Sequence, residues 1–261
     1  MKKKAIISVL LSAAICINLA GSALALPSVA LKQQNAQTNT TIQLSQKQWS
    51  NRQTINFNAD WKFCLGDEKN ASKIDFDDSG WRDLDLPHDY SIEQDFNPDS
   101  PARGTGAYLD GGVGWYRKTC VFPEELADKR FYLHFDGVYM DSTVYVNGTM
   151  IGNFPDGYAP FTYDITDALV TDGVTENVIA VRVNNQQPSS RWYSGSGIYR
   201  DVTMIVTEDI HIADNGTYVT TPQIETEYTS GNPVTVHVET EVSNDSPASA
   251  EVTVRHSIHF K

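Results

Sequence analysis

Basic residues, cysteine and long apolar runs are all scarce in this 261-residue chain, and each shortage removes a class of function. Lys and Arg total 20 against 33 Asp and Glu, a formal charge of −13. A phosphate backbone is held by clustered Lys and Arg, so nucleic acid is excluded as a partner. The three cysteines, Cys16, Cys64 and Cys120, stand far apart, and no Cys/His spacing suits a zinc site. No metal or other cofactor is expected. The most apolar run, near the N-terminus, is short and broken by Asn18, which argues against a membrane span. No convincing amphipathic helical period is found. What remains, 40% hydrophobic and 20% charged, is ordinary for a globular protein and is arranged in short alternating segments.

The stretch "MKKKAIISVLLSAAICINLAGSALA" has a basic start, an apolar middle and a small-x-small end at Ala23 and Ala25. This is the pattern of a secretory leader over residues 1–25, cut after Ala25, and the protein is expected to be exported or displayed at the cell surface. Cys16 follows Ile15 rather than a small residue, which argues against lipid attachment. Without the leader, 17 bases remain against 33 acids, a charge of −16. Residues 26–50, rich in Gln, Asn, Thr and Ser, read as a flexible linker. Export permits a disulfide. Cys64 and Cys120 either pair or remain two buried thiols, and sequence leaves both open.

Order begins near "TINFNADWKFCLG", where Ile55 and Phe57, then Trp61, Phe63 and Leu65, recur with a period of two around a turn at Asn58-Ala59-Asp60. "RFYLHFDGV" sets Phe131, Leu133 and Phe135 on one face, and "DSTVYVNG" sets Val144 and Val146. Asn147-Gly148 is a two-residue hairpin signal, because a type I′ turn needs positive φ at both positions. "NVIAVRVNN" turns Ile179, Val181 and Val183 inward and Ala180 and Arg182 outward. The fold class expected is all-β, with a jelly-roll β-sandwich over residues 51–208. From 209 to 261 the texture changes: Val234, Val236 and Val238, then Val252 and Val254, alternate between turn signals. This reads as an incomplete immunoglobulin-like sandwich, since such a domain takes ~100 residues and ~7 strands. The chain is expected to be part of something longer.

Five blocks, in order, carry a family resemblance: "DDSGWRDLDLPHDY", "GVGWYRKTCVFP", "FYLHFDGVYMDSTVYVNGTMIGNFPDGYAPFTYDIT", "NVIAVRVNNQQPSSRWYSGSGIYRDV" and "VHVETEV". Together they resemble the N-terminal region of family 2 glycoside hydrolases, closest to secreted bacterial β-galactosidases. The resemblance implies a sugar-binding jelly roll, then an immunoglobulin-like domain, then a barrel holding two catalytic glutamates, acting on a terminal β-galactoside. No barrel lies within these residues, since one needs ~200 more. The family's acid/base glutamate follows an asparagine, and this sequence contains no Asn-Glu pair. Acidic neighbours such as Asp77-Asp78 and Glu124-Glu125 sit in turn-like contexts, whereas retaining hydrolysis needs two carboxyl groups ~5–5.5 Å apart across the bond. No catalytic residue is therefore assigned, and the chain alone is expected not to hydrolyse a glycoside.

Three stretches are candidates for sugar contact. In "SSRWYSGSGIYRDV", Arg191 offers a fixed donor fork to two hydroxyl oxygens, and Trp192 and Tyr193 offer faces or walls to a pyranose. The alternative is an interdomain salt bridge for Arg191 and a packing role for Trp192. In "LPHDY", Pro87 ends a strand and leaves His88 and Asp89 on a loop, where Asp89 accepts from hydroxyls and His88 orients it. The plainer reading is that Asp89 caps a turn. In "DGGVGWYRKT", Trp115 is either a sugar platform or core filler. The expected partners are carbohydrate and the missing barrel of the same polypeptide. A stand-alone carbohydrate-binding or adhesion module is the alternative function.

Overall fold

The computed structural model describes residues 3–12, 40–41, 52–189 and 191–259, with backbone alone for the first two stretches. The cut expected after Ala25 and most of the linker expected over 26–50 lie outside the described residues. The strands in chain order are β1 (Lys3–Ser12), β2 (Thr40–Thr41), β3 (Arg52–Asn56), β4 (Trp61–Leu65), β5 (Arg82–Leu84), β6 (Gly112–Val121) and β7 (Arg130–Phe135). They continue with β8 (Ser142–Val146), β9 (Thr149–Phe154), β10 (Phe161–Asp164), β11 (Glu176–Asn185), β12 (Val202–Thr207), β13 (Ile210–Thr220) and β14 (Thr235–Asn244). The chain divides into two compact units, one of residues 37–208 and one that includes 209–261.

The 37–208 unit is a two-sheet, jelly-roll-like sandwich. One sheet runs β10-β7-β12-β3, and the other runs β5-β4-β6-β11-β8-β9 with β2 beside β6. The period-two pattern sets which side chains meet between them. Phe131, Leu133 and Phe135 of β7 and Met204 and Val206 of β12 face Val144 and Val146 of β8 and Ile179, Val181 and Val183 of β11, all buried in one cluster. The register is antiparallel: Leu133 opposes Met204, and Val181 opposes both Tyr116 and Val144. Trp61 is fully buried, with Nε1 donating to the Phe57 carbonyl at 2.8 Å across the expected turn. The Asn147-Gly148 turn joins β8 to β9 with both residues at positive φ, 49° and 79°.

The outer face of the larger sheet departs from the expected pattern. Ala180 points away from the main core, as the alternation requires, yet it is buried. The segment between β4 and β5 folds over this face, so that Ala71, Trp115 and Ala180 form a second cluster beneath Phe76 and Trp81. Arg117, 2% exposed, fastens the segment: Nε meets Asp78 at 2.7 Å, and the Nη1 group donates to the Ala71 and Lys73 carbonyls.

Cys64 and Cys120 are free thiols. Register explains why. On neighbouring β4 and β6, Cys64 opposes Trp115, which leaves Cys120 five residues along the strand, about 17 Å away at strand rise. A disulfide needs its Cα atoms within ~7 Å.

In the second unit β13 and β14 pair, and β1 lies on the other side of β14. Val238, Thr240 and Val242 of β14 are buried on one face. A helix, Ile224–Thr229, precedes β14 and buries none of its side chains. The strand expected around Val252 and Val254 does not form: residues 249–259 carry no ladder. A strand is held by pairing its N–H and C=O groups with a neighbour. This segment is tied to β14 instead by a side-chain bond between His256 Nε2 and Thr240 Oγ1 at 2.8 Å.

Candidate functional site

The candidate site forms where the stretch after β5 is laid beside the stretch before β12. His88 N donates to the Ile198 carbonyl at 2.8 Å and Tyr90 N to the Ser196 carbonyl at 2.9 Å. This short ladder brings Asp89 against the loop 189–197. Gly197 makes the approach possible. It lies at φ +128°, and a Cβ there would land on the Tyr116 hydroxyl oxygen and the His88 carbonyl.

Asp89 is half-buried, and both carboxylate oxygens are engaged. Its Oδ1 accepts from the backbone N–H of Ser91 and of Ser196, each at 2.9 Å, and its Oδ2 accepts from the Tyr193 hydroxyl at 2.7 Å. The Ser91 bond is the turn cap of the plainer reading; the other two tie the loop. Burial, then the bond to Asp89, pushes the Tyr193 phenol well above its ordinary range, so it stays a neutral donor. Beneath lies a second polar layer. Ser91 Oγ donates to the Asp110 carbonyl at 2.8 Å and meets Ser196 Oγ at 2.6 Å, which accepts from Asn185 Nδ2 at 2.7 Å. Asn185 Nδ2 also donates to the Gly195 carbonyl at 2.9 Å.

Arg191 and Trp192 project outward, and Trp192 is 75% exposed. Trp192 is therefore not the core side chain of the alternative reading. Together with Tyr193, Asn185, Gln187 and Ser91, Arg191 lines a cavity of about 20 Å³. That volume holds about one water and cannot enclose a pyranose, so a sugar would rest on the rim.

Two sequence candidates lie elsewhere. Trp115 is 5% exposed, on the face of β6 opposite Tyr116, stacked against Tyr145 at 5.9 Å and donating from Nε1 to Asp67 at 3.4 Å. It fills the second cluster and offers no free face to a sugar. His88 is 8% exposed and points into the core rather than toward Asp89. Its Nδ1 meets the Tyr116 hydroxyl at 2.7 Å, and its Nε2 faces Glu93 at 3.1 Å. Arg82 Nη2 also lies 2.9 Å from Nε2, so one proton on neutral His88 serves the cluster in either of two arrangements: Nε2–H donates to Glu93 while Nδ1 accepts from Tyr116, or Nε2 accepts from Arg82 while Nδ1–H donates to Tyr116. Arg82 completes the cluster, donating to Glu93 at 2.7 Å.

Sequence reasoning missed Asn185, Gln187, Ser91 and the loop through Gly106 and Leu109 that closes the cavity. The signal lay in "NNQQ", Asn184 to Gln187: four amides immediately before the Arg-aromatic loop. Among the described residues no cluster of three or more His, Cys, Asp or Glu is arranged to hold a metal ion.

The end loops of this β-sandwich gather a carboxylate, a phenol, amides, an arginine and an exposed indole, groups able to meet sugar hydroxyls and ring faces. Residues 54–208 match the family model described as glycosyl hydrolases family 2, sugar binding domain. The chain belongs to glycosyl hydrolase family 2. It is 47% identical over 210 residues to a β-galactosidase of Bacteroides ovatus, covering 80% of this chain and 24% of that protein. A putative β-glucuronidase of Formosa agariphila is 44% identical over 171 residues, covering 65% and 16%. Among solved structures, a family 2 glycosyl hydrolase of Bacteroides cellulosilyticus superposes with a TM-score of 0.63 at 39% identity, covering 65% of this chain and 22% of that one. The chain thus spans a quarter or less of the length of these relatives.

Proposed function

We propose that this chain is the N-terminal, sugar-binding part of an exported β-galactosidase-type glycoside hydrolase, and that its 187–197 loop forms one wall of a galactoside site completed by further chain. The observation that carries this is the fixing of Tyr193 and Ser196 by the two oxygens of Asp89, which sets the loop so that Arg191 and Trp192 stand free on a rim. Hydrogen-bonding groups for hydroxyls and an aromatic face for the C–H side of a ring are what sugar recognition needs. The one-water cavity favours a shared site over a self-sufficient lectin pocket, which would be larger. The β-galactosidase relative supports the choice of galactoside.

The test uses purified residues 26–261 and a nitrophenyl β-galactoside. No hydrolysis above buffer is expected, together with weak galactose binding that Arg191→Ala abolishes. Hydrolysis by this piece would overturn the reading. Tight galactose binding would favour the stand-alone module.

A further inference from the structure

We infer that the rim of this site carries a subsite for an anionic sugar unit, with Arg103 and Arg191 binding a carboxylate or sulfate on the saccharide next to the terminal one. The inference rests on the sugar-site reading above and names the ligand class it selects. Arg103 opens the short turn Arg103–Gly106 and, with Pro101, Ala102, Thr105 and Pro188, lines an open groove of about 360 Å³. That is within the ~300–1,000 Å³ of small-molecule sites. Ala102 is also a wall of the small cavity that Arg191 lines, so the two hollows adjoin.

The charge pattern points to the ligand. Acids outnumber bases 33 to 20, so an arginine on this surface readily finds a carboxylate. Arg82 reaches Glu93 at 2.7 Å, Arg117 reaches Asp78 at 2.7 Å, Arg182 reaches Asp67 at 2.8 Å and Arg200 reaches Asp136 at 4.0 Å. Arg103 and Arg191 make no ion pair among the described residues, and both are exposed. The charge of Arg191 is felt by Asp156, but that carboxylate is turned to the backbone N–H groups of Tyr158 and Ala159, at 2.7 and 2.8 Å. Two like charges at adjoining hollows repel, and an anion between them removes the repulsion. Planar guanidinium forks suit carboxylate and sulfate oxygens. The exposed rings of Pro101 and Pro188 give the ring carbons an apolar floor.

The experiment is calorimetric titration of the full chain with three probes: lactose, galactosyl-β-1,4-glucuronic acid, and lactose bearing a 6-sulfate on the glucose. At least one anionic probe is expected to bind about tenfold more tightly than lactose, as a charge-assisted hydrogen bond allows. The gap should shrink as salt is raised, and Arg103→Gln should bring the ratio toward one. Whichever anion gains more identifies the group recognised. Equal affinities for all three probes would overturn the anion subsite and leave the sugar site standing, whereas binding of none would overturn both. A preference that survives unchanged in Arg103→Gln removes Arg103 from the site. If that variant does not fold, the salt dependence of the ratio in the unaltered chain decides.

Discussion

Asp89 serves three neighbours at once: one oxygen holds the backbone of Ser91 and Ser196, and the other takes the Tyr193 hydroxyl. Replacing it with alanine strands two partly buried N–H groups and a phenol. Asp89→Ala should therefore lower stability by about 1–3 kcal/mol, read as a fall in the urea midpoint. Tyr193→Phe removes a single donor and should cost about 0.5–1.5 kcal/mol by the same measurement. The thiols offer a second check on single residues. Burial pushes the Cys120 thiol up to about 12, while Cys64 is only partly covered and is raised by burial and Glu68. Since the thiolate is the reactive form, iodoacetamide at pH 8 should label Cys64 first and Cys120 only after denaturation. Equal labelling in the native state would contradict the buried position of Cys120. Asp89 and Tyr193 were legible as candidates because their chemistry is visible in the sequence. Their mutual bond was not, since it joins positions 104 residues apart.

Among the elements, the ladder between residues 88–90 and 196–198 is what assembles the site. Gly197→Ala adds a methyl group at φ +128°, against the Tyr116 hydroxyl and the His88 carbonyl. A cost of about 1–3 kcal/mol is expected from overpacking alone, visible as a lower Tm. The cluster under this ladder makes stability depend on pH. Burial lowers the His88 pKa below its ordinary 6.5, against the opposing effect of Glu93. The unfolded chain then takes up the proton first, so stability declines as pH falls below 6.5. Burial raises the Glu93 pKa in part, but Arg82 and His88 hold it below the ordinary 4.5, so its contribution is lost later, as pH falls under that value. Urea midpoints should fall between pH 8 and pH 5.5, and His88→Gln should flatten that part of the profile. A flat profile in the unaltered protein would count against the buried neutral imidazole. Sequence marked His88 as a loop residue because Pro87 ends the strand before it. The structure buries it because the loop itself is paired to 196–198 and turns the ring inward onto Phe63, with ring centroids 4.6 Å apart.

For the whole molecule, the decisive quantity is size. The chain covers 24% of its β-galactosidase relative and matches the sugar binding domain over 54–208. Under the proposed function, an antibody raised against residues 50–208 detects an exported species heavier than this chain by at least the ~200 residues of a barrel. A species matching residues 26–261 would instead turn attention to binding alone. Against 33 acids and only 20 bases, the two unpaired arginines at the rim are informative.

Strand identity and the inward set of each strand were readable from the chain because a period of two is a local property. Val144 and Val146, or Ile179, Val181 and Val183, needed no knowledge of their partners to be placed on one face. The hairpin at Asn147-Gly148 was equally local, since positive φ is a property of those two residues. What covers the other face is not local. Ala180 and Trp115 alternate outward and are buried all the same, because a segment from between β4 and β5 is clamped over them by Arg117. The site belongs to this second kind: Asp89, Asn185, Tyr193 and Ser196 meet only after two distant stretches pair. A sequence names the groups able to touch a sugar, but long-range hydrogen bonding selects which of them share a rim.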